Sequence, residues 1–200
     1  MARRVSGTIR PAGPRMTGAP QGYGGPVTEK TSATGKTSRG SGTPVGAGLL
    51  IGVGFGGLVD GVVLHQILQW HHLVSEVDRY PPGTVPGLEA NTLADGLFHA
   101  VTLVLLGLGL FLLYRRAAAG VPLPRGGRWW GLVLAGWGGF NVVEGVVDHH
   151  LLRVHHVRPG PYELAYDLAF LAFGVLLLVG GWLLYRRGGR RTRPARRPGE

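Results

Sequence analysis

Residues 52–72 read GVGFGGLVDGVVLHQILQWHH, and residues 136–156 read GWGGFNVVEGVVDHHLLRVHH. At a constant offset of 84, with no gap, they agree at Gly52/Gly136, Gly54/Gly138, Val59/Val143, Gly61/Gly145, Val62/Val146, Val63/Val147, His65/His149, Leu68/Leu152, His71/His155 and His72/His156. Asp60 falls on Glu144, which keeps the carboxylate. An internal repeat constrains the architecture before any single residue is read. Here the repeated unit is an apolar helix that carries one carboxylate and three histidines. Ionisable groups are costly inside a membrane, so their recurrence at matched positions points to a site.

Four stretches are long and apolar enough to cross a bilayer core, which takes about 20 helical residues. They are Val45–Trp70, Asn91–Tyr114, Trp129–Leu152 and Tyr162–Tyr185. The second and fourth spans also correspond. Asp95-Gly-Leu-Phe98-His99-Ala100 parallels Asp167-Leu-Ala-Phe170-Leu171-Ala172, and both spans end in Leu-Leu-Tyr-Arg-Arg. A doubled two-helix hairpin is therefore expected. Two helices per unit restore the same topology, so the repeat is parallel, about an axis along the membrane normal. Glycines at 48, 52 and 56, and at 57 and 61, give the small-xxx-small spacing that lets membrane helices approach closely. The expected fold is all-α, a four-helix membrane domain over residues 44–187.

The tails differ in kind. Residues 1–43 are rich in Gly, Pro, Ser, Thr and basic side chains and can bury almost nothing, so disorder is expected there and in the basic tail at 188–200. The N-terminal tail lacks an apolar core of the signal-peptide type, and the first span is expected to act as an uncleaved anchor. Gly35-Lys36-Thr37 lacks the upstream glycine of a phosphate-binding loop, since position 30 is Lys.

A net charge of +10 invites a nucleic-acid reading, but the distribution argues for a membrane. Seven of the 21 Lys and Arg precede the first span, seven lie from Arg186 onward, and four (Arg115, Arg116, Arg125, Arg128) lie between the second and third spans. Only Arg79, Arg153 and Arg158 flank the other two loops. Eighteen against three is a positive-inside bias that places both termini in the cytoplasm. Anionic lipid headgroups then suffice as partners for the tails. The expected location is a bilayer crossed several times, with no nucleic-acid partner; a homo-oligomer is compatible with so small a bundle.

Helix rise places the polar groups in depth. Asp60 and Glu144 sit roughly 22 Å above the cytoplasmic ends of their spans, and His99 at about the same height. His65, His149, Asp95 and Asp167 fall one to two turns higher, and His71, His72, His155 and His156 at the outer rim. Asp148 is one turn beyond Glu144. All eight histidines thus share the outward half of the bundle with five carboxylates. On an α-helix Asp60 lies about 140° round from His65, so those two need not meet. One or two subsites are expected instead of one compact centre.

No Lys or Arg lies beside the buried acids. A carboxylate near the bilayer centre costs about 2.5–3.5 kcal/mol on insertion scales, so Asp60 and Glu144 together cost roughly 5–7 kcal/mol. Protons, histidinium or a bound cation must offset that cost. The candidate ligands are His65, His99, His149, Asp60, Asp95, Glu144, Asp148, Asp167, His72 and His156. His65 and His149 are also the symmetric pair for a non-covalent haem. The bland alternative is neutral acids hydrogen-bonded to histidines as polar glue between helices. His71 and His155 weigh about evenly as interfacial anchors and as ligands. With no cysteine and no methionine inside the bundle, an N/O donor set suits zinc, copper(II), iron, manganese or nickel.

These residues also carry a family resemblance. Asp60-Gly61 through His65-Gln66, Gln69-Trp70-His71-His72, Asp95-Gly96 with Phe98-His99, Glu144-Gly145 and Asp148-His149-His150 resemble the bacterial membrane-protein family called domain of unknown function 2243. The resemblance covers about residues 45 to 187. It implies a four-helix protein of the bacterial inner membrane and supplies no activity. It also implies a link to metal handling for respiratory oxidases, which leans the ligand toward copper or haem. Two other classes compete: a proton- or metal-ion transporter, and a membrane di-iron oxidase or hydroxylase. The nearest histidine boxes, His65-x5-His71-His72 and His150-x4-His155-His156, are wider than those of the di-iron family.

Overall fold

The computed structural model describes residues 43–190, and no strand occurs among them. Helix α1 (Val45–Asp60) continues into a π-helical segment, Gly61–Ile67. Helix α2 spans Val85–Ala118 and α3 Gly127–Glu144. A second π-helical segment, Gly145–Leu151, extends α3, and α4 runs over Glu163–Arg190. Four helices are long and apolar enough to cross a membrane: Val45–Ile67, Val85–Ala118, Gly127–Leu151 and Glu163–Gly188. The tails expected to be disordered fall outside the described residues, except that α4 carries on helically to Arg190.

Two helix ends differ from the sequence expectation. The first span stops at Ile67 and not at Trp70, because the chain reverses there. The second begins at Val85, not Asn91. Thr84 caps it by accepting the Gly87 amide at 3.2 Å on its hydroxyl, and Pro86 occupies the first turn, where a missing N–H costs nothing.

Helices α1 and α3 form the inner pair, with α2 packed on α1 and α4 on α3. The outer faces of α2 and α4 are exposed leucine and valine, the surface a lipid tail would cover. Glycine sets the spacing of the inner pair. A Cβ on Gly52 would strike Val133 O and come within 2.9 Å of Gly136 Cα, and one on Gly136 would strike Leu49 O. Gly54 lies against the α2 backbone at Thr102 and Leu106, as Gly138 lies against the α4 backbone at Gly174 and Leu178. Matched glycines thus make matched contacts in the two halves.

The π-helical segments are matched as well. Leu68 N bonds Val63 O at 2.8 Å and Leu152 N bonds Val147 O at 2.7 Å. Trp70 N then closes on Leu64 O, and Val154 N on Asp148 O. Between them, Gln69 and Arg153 take left-handed conformations, with φ of 49° and 50°. Such a residue costs on the order of 1–3 kcal/mol and persists only where its surroundings hold it. Its effect is to turn the chain back over the bundle. His71 and His155 therefore point inward from loops and do not lie at a helix rim.

Candidate metal centre

A wide π turn changes which residues share a face. On an α-helix positions five apart diverge, whereas an i→i+5 turn brings them together. Asp60 Oδ2 lies 3.3 Å from His65 Nε2, and Glu144 Oε1 lies 3.1 Å from His149 Nε2. The 140° separation expected from α-helical geometry is thereby closed, in both halves and by the same means.

Four imidazoles meet at the middle of the loop end. His71 and His155 stack, with ring centroids 4.6 Å apart and planes 5° from parallel. His65 stands edge-on to His71 at 4.4 Å, and His149 edge-on to His155 at 4.9 Å. None of the four is more than 3% exposed. Ligand atoms of His65, His71 and His155 lie within 4.8 Å of one another, and so do those of Glu144, His149 and His155. His155 belongs to both groups.

The outer partners fix the rings. His71 Nδ1 donates to Val157 O at 2.8 Å, and His155 Nδ1 donates to Leu73 O at 3.0 Å, so each half bonds a carbonyl of the other. His65 Nδ1 donates to Asp95 Oδ1 at 2.8 Å. Asp95 also accepts from His72 Nδ1 at 2.7 Å and from Leu73 N at 2.9 Å. Asp167 repeats this pattern with His156 Nδ1 at 2.7 Å and Val157 N at 2.9 Å. One bond is not repeated: His149 Nδ1 stands 3.5 Å from Asp167 Oδ1 and has no hydrogen-bond partner.

An imidazole that donates through Nδ1 keeps a lone pair at Nε2 when neutral, the state a metal requires. Burial, reinforced by neighbouring His155 and His65, pushes the His71 pKa down to about 3. Its Nε2 is buried with no partner. His155 Nε2 lies 3.0 Å from Glu144 Oε1, so an acceptor faces an acceptor if the pair is neutral imidazole and carboxylate. Such a contact calls for a proton or a cation. Asp60 Oδ1 and Glu144 Oε2 are buried and unpartnered too.

The sequence candidates divide accordingly. His65, His149, Asp60 and Glu144 sit at the centre. Asp95, Asp167, His72 and His156 form the layer that orients it. His65 and His149 do face a shared interior. His99 donates from Nδ1 to Asp95 O at 2.7 Å, and its Nε2 lies against Gly61, without a bond to Asp60 or Glu144. Asp148 is half-buried and makes no side-chain hydrogen bond among the described residues. His71 and His155 are the central residues that the candidate ligand set omits. Their exact match at the offset of 84 was the available signal.

A family model described as "Predicted membrane protein (DUF2243)" matches residues 47–188. No curated protein and no solved structure matches the chain.

Proposed function

The chain belongs to the predicted membrane-protein family DUF2243, and from its geometry we propose that it binds a transition-metal ion within the histidine quartet. In this reading His65, His71 and His155 are ligands through Nε2, with His149, Glu144 and Asp60 completing or bordering the sphere. The observation that carries it is the convergence of lone pairs. His65, His71 and His155 commit Nδ1 to oxygen acceptors and bring ligand atoms within 4.8 Å of one another, while His65 Nε2 faces Asp60 and His155 Nε2 faces Glu144, acids that no Lys or Arg accompanies. A dication held by either group of three relieves the crowding of acceptors there, and His155 is common to both groups. Asp95, Leu73 O and Val157 O serve as the outer partners that fix tautomer and ring angle.

The donor set is nitrogen and oxygen alone, which suits zinc, copper(II), iron, manganese or nickel. A bare ion fits better than haem, since the rings between His65 and His149 are packed at 4.4 to 4.9 Å with no slot for a porphyrin. Elemental analysis and an optical spectrum of detergent-purified protein test the proposal. About one transition-metal ion per chain, held through a chelator wash, is the expected result. Protein that never takes up metal at any concentration would leave polar helix packing as the explanation.

The same proposal sets the protein in the bacterial inner membrane with both termini cytoplasmic and the quartet near the outer surface. The basis is the basic asymmetry of the loops. Reporter fusions after residues 80 and 158 should be active only with an extracytoplasmic reporter. Cytoplasmic activity at either position reverses the orientation and puts the quartet on the other side.

A further inference from the structure

The quartet is buried, so an ion needs a route to it. One cavity ends at Asp60 beside the quartet, and another reaches the quartet itself at His149. The first, of about 180 Å³, is walled by Val59, Val63, Leu64, Trp137, Phe170 and Phe173. Apart from Asp60, its one polar wall residue is Asn141, so an ion there would exchange most of its hydration for apolar surface, at high cost. The other, of about 310 Å³, lies at the loop end against His149, His150, Arg153, His156, Glu163 and Asp167. We propose that this second cavity is the port by which a divalent cation enters, with His150, His156 and Glu163 as an outer capture site that hands the ion to His149. The proposal rests on the quartet being a metal site.

Three observations support it. First, the His149 Nδ1 that lacks a hydrogen bond belongs to a ring lining this cavity, whereas the matching His65 Nδ1 is closed by Asp95 at 2.8 Å. Second, the two halves differ at the mouth. Where the second half has His150, Arg153 and Glu163, the matched positions of the first are Gln66, Gln69 and Asn91. Asn91 is fully buried and acts as a plug: its amide donates to Tyr80 O and Gly87 O at 2.9 Å, and its oxygen accepts from Val74 N. Glu163 instead keeps a side chain 39% exposed and, among the described residues, pairs with His156 alone, at 3.3 Å. Third, the charges suit a cation. Glu163 and Asp167 oppose the single guanidinium of Arg153, and Asp167 is already oriented by His156 and the Val157 amide.

The test uses full-length protein in detergent, stripped by chelator and mixed with cobalt(II). The visible absorption of the bound ion reports both rate and final amplitude. Glu163→Gln and His150→Gln should each slow uptake about tenfold, the scale on which local charge and capture sites act, while leaving the amplitude unchanged. Arg153→Gln should speed uptake. Glutamine is tolerated there, since Gln69 holds the same left-handed conformation in the first half. Glu76→Gln, on the other loop, serves as the control and should load like wild type. Loading of all variants at the wild-type rate overturns the port while leaving the buried site standing. Loss of amplitude in place of rate also overturns it, by assigning these residues to the final site. Absence of any cobalt spectrum in wild type is the separate failure of the metal reading itself.

Discussion

His155→Ala should abolish the metal binding proposed for the quartet. Its imidazole belongs to both convergent groups, so one substitution removes a ligand from each and leaves Glu144 Oε1 with His149 alone. The affinity loss should exceed the roughly 10–100-fold typical of an outer partner. His72→Ala supplies that comparison, because His72 only braces Asp95. Metal content by elemental analysis should therefore fall to background for His155→Ala and only partly for His72→Ala. His155 also ties Leu73 O across the two loops, so folding must be checked by size-exclusion profile and tryptophan fluorescence. His155→Gln is the second variant, since it can keep a donor for that carbonyl while offering no imidazole. Wild-type metal content in both variants would remove the quartet from consideration.

Acid should destabilise the metal-free bundle through His71. Its pKa falls from the ordinary 6.5 to about 3 on folding, chiefly because burial disfavours the charged ring. Between those values the unfolded chain holds a proton that the folded chain lacks, so stability is greatest above pH 6.5 and drops as pH falls toward 3. For one group the slope is about 1.4 kcal/mol per pH unit. Melting of chelator-treated protein at about pH 7.5 and about pH 5 measures it, with His71→Gln as reference because it cannot titrate. The wild type should lose more stability over that range than the variant. Equal losses would mean that His71 takes up its proton in the fold without penalty.

Much of this arrangement could be read from the chain. The four spans follow from apolar length, and the inner pairing of α1 with α3 accords with their glycine spacing. Asp60, Glu144, His65 and His149 were legible as interior groups because a buried charge at matched positions has no use facing lipid. Two things were not legible. The meeting of Asp60 with His65 depends on a π turn, which tertiary contacts sustain and residue propensity does not encode. The recurrence of an acid and a histidine five apart in both halves was the one hint, since that spacing is idle on an α-helix. The inward return of His71 and His155 depends on left-handed Gln69 and Arg153, neither of them the glycine that would ordinarily mark such a turn. Straight-helix counting put both histidines at the membrane rim for that reason.

Gly52 meets Gly136, and His71 stacks on His155, so at the glycine crossing and in the ring stack each half presents the same residue to the other. A single hairpin could offer only half of this centre and would need a second copy to complete it. Two free hairpins would come apart on dilution in the bilayer, and the centre with them. Joining them through the short connection between α2 and α3 makes their encounter intramolecular, at an effective concentration of millimolar order. Completion of the quartet then no longer depends on how much of the protein the membrane holds. The join also frees each half to change alone, as at Gln66 against His150 and Asn91 against Glu163, where identical subunits would have had to change in step.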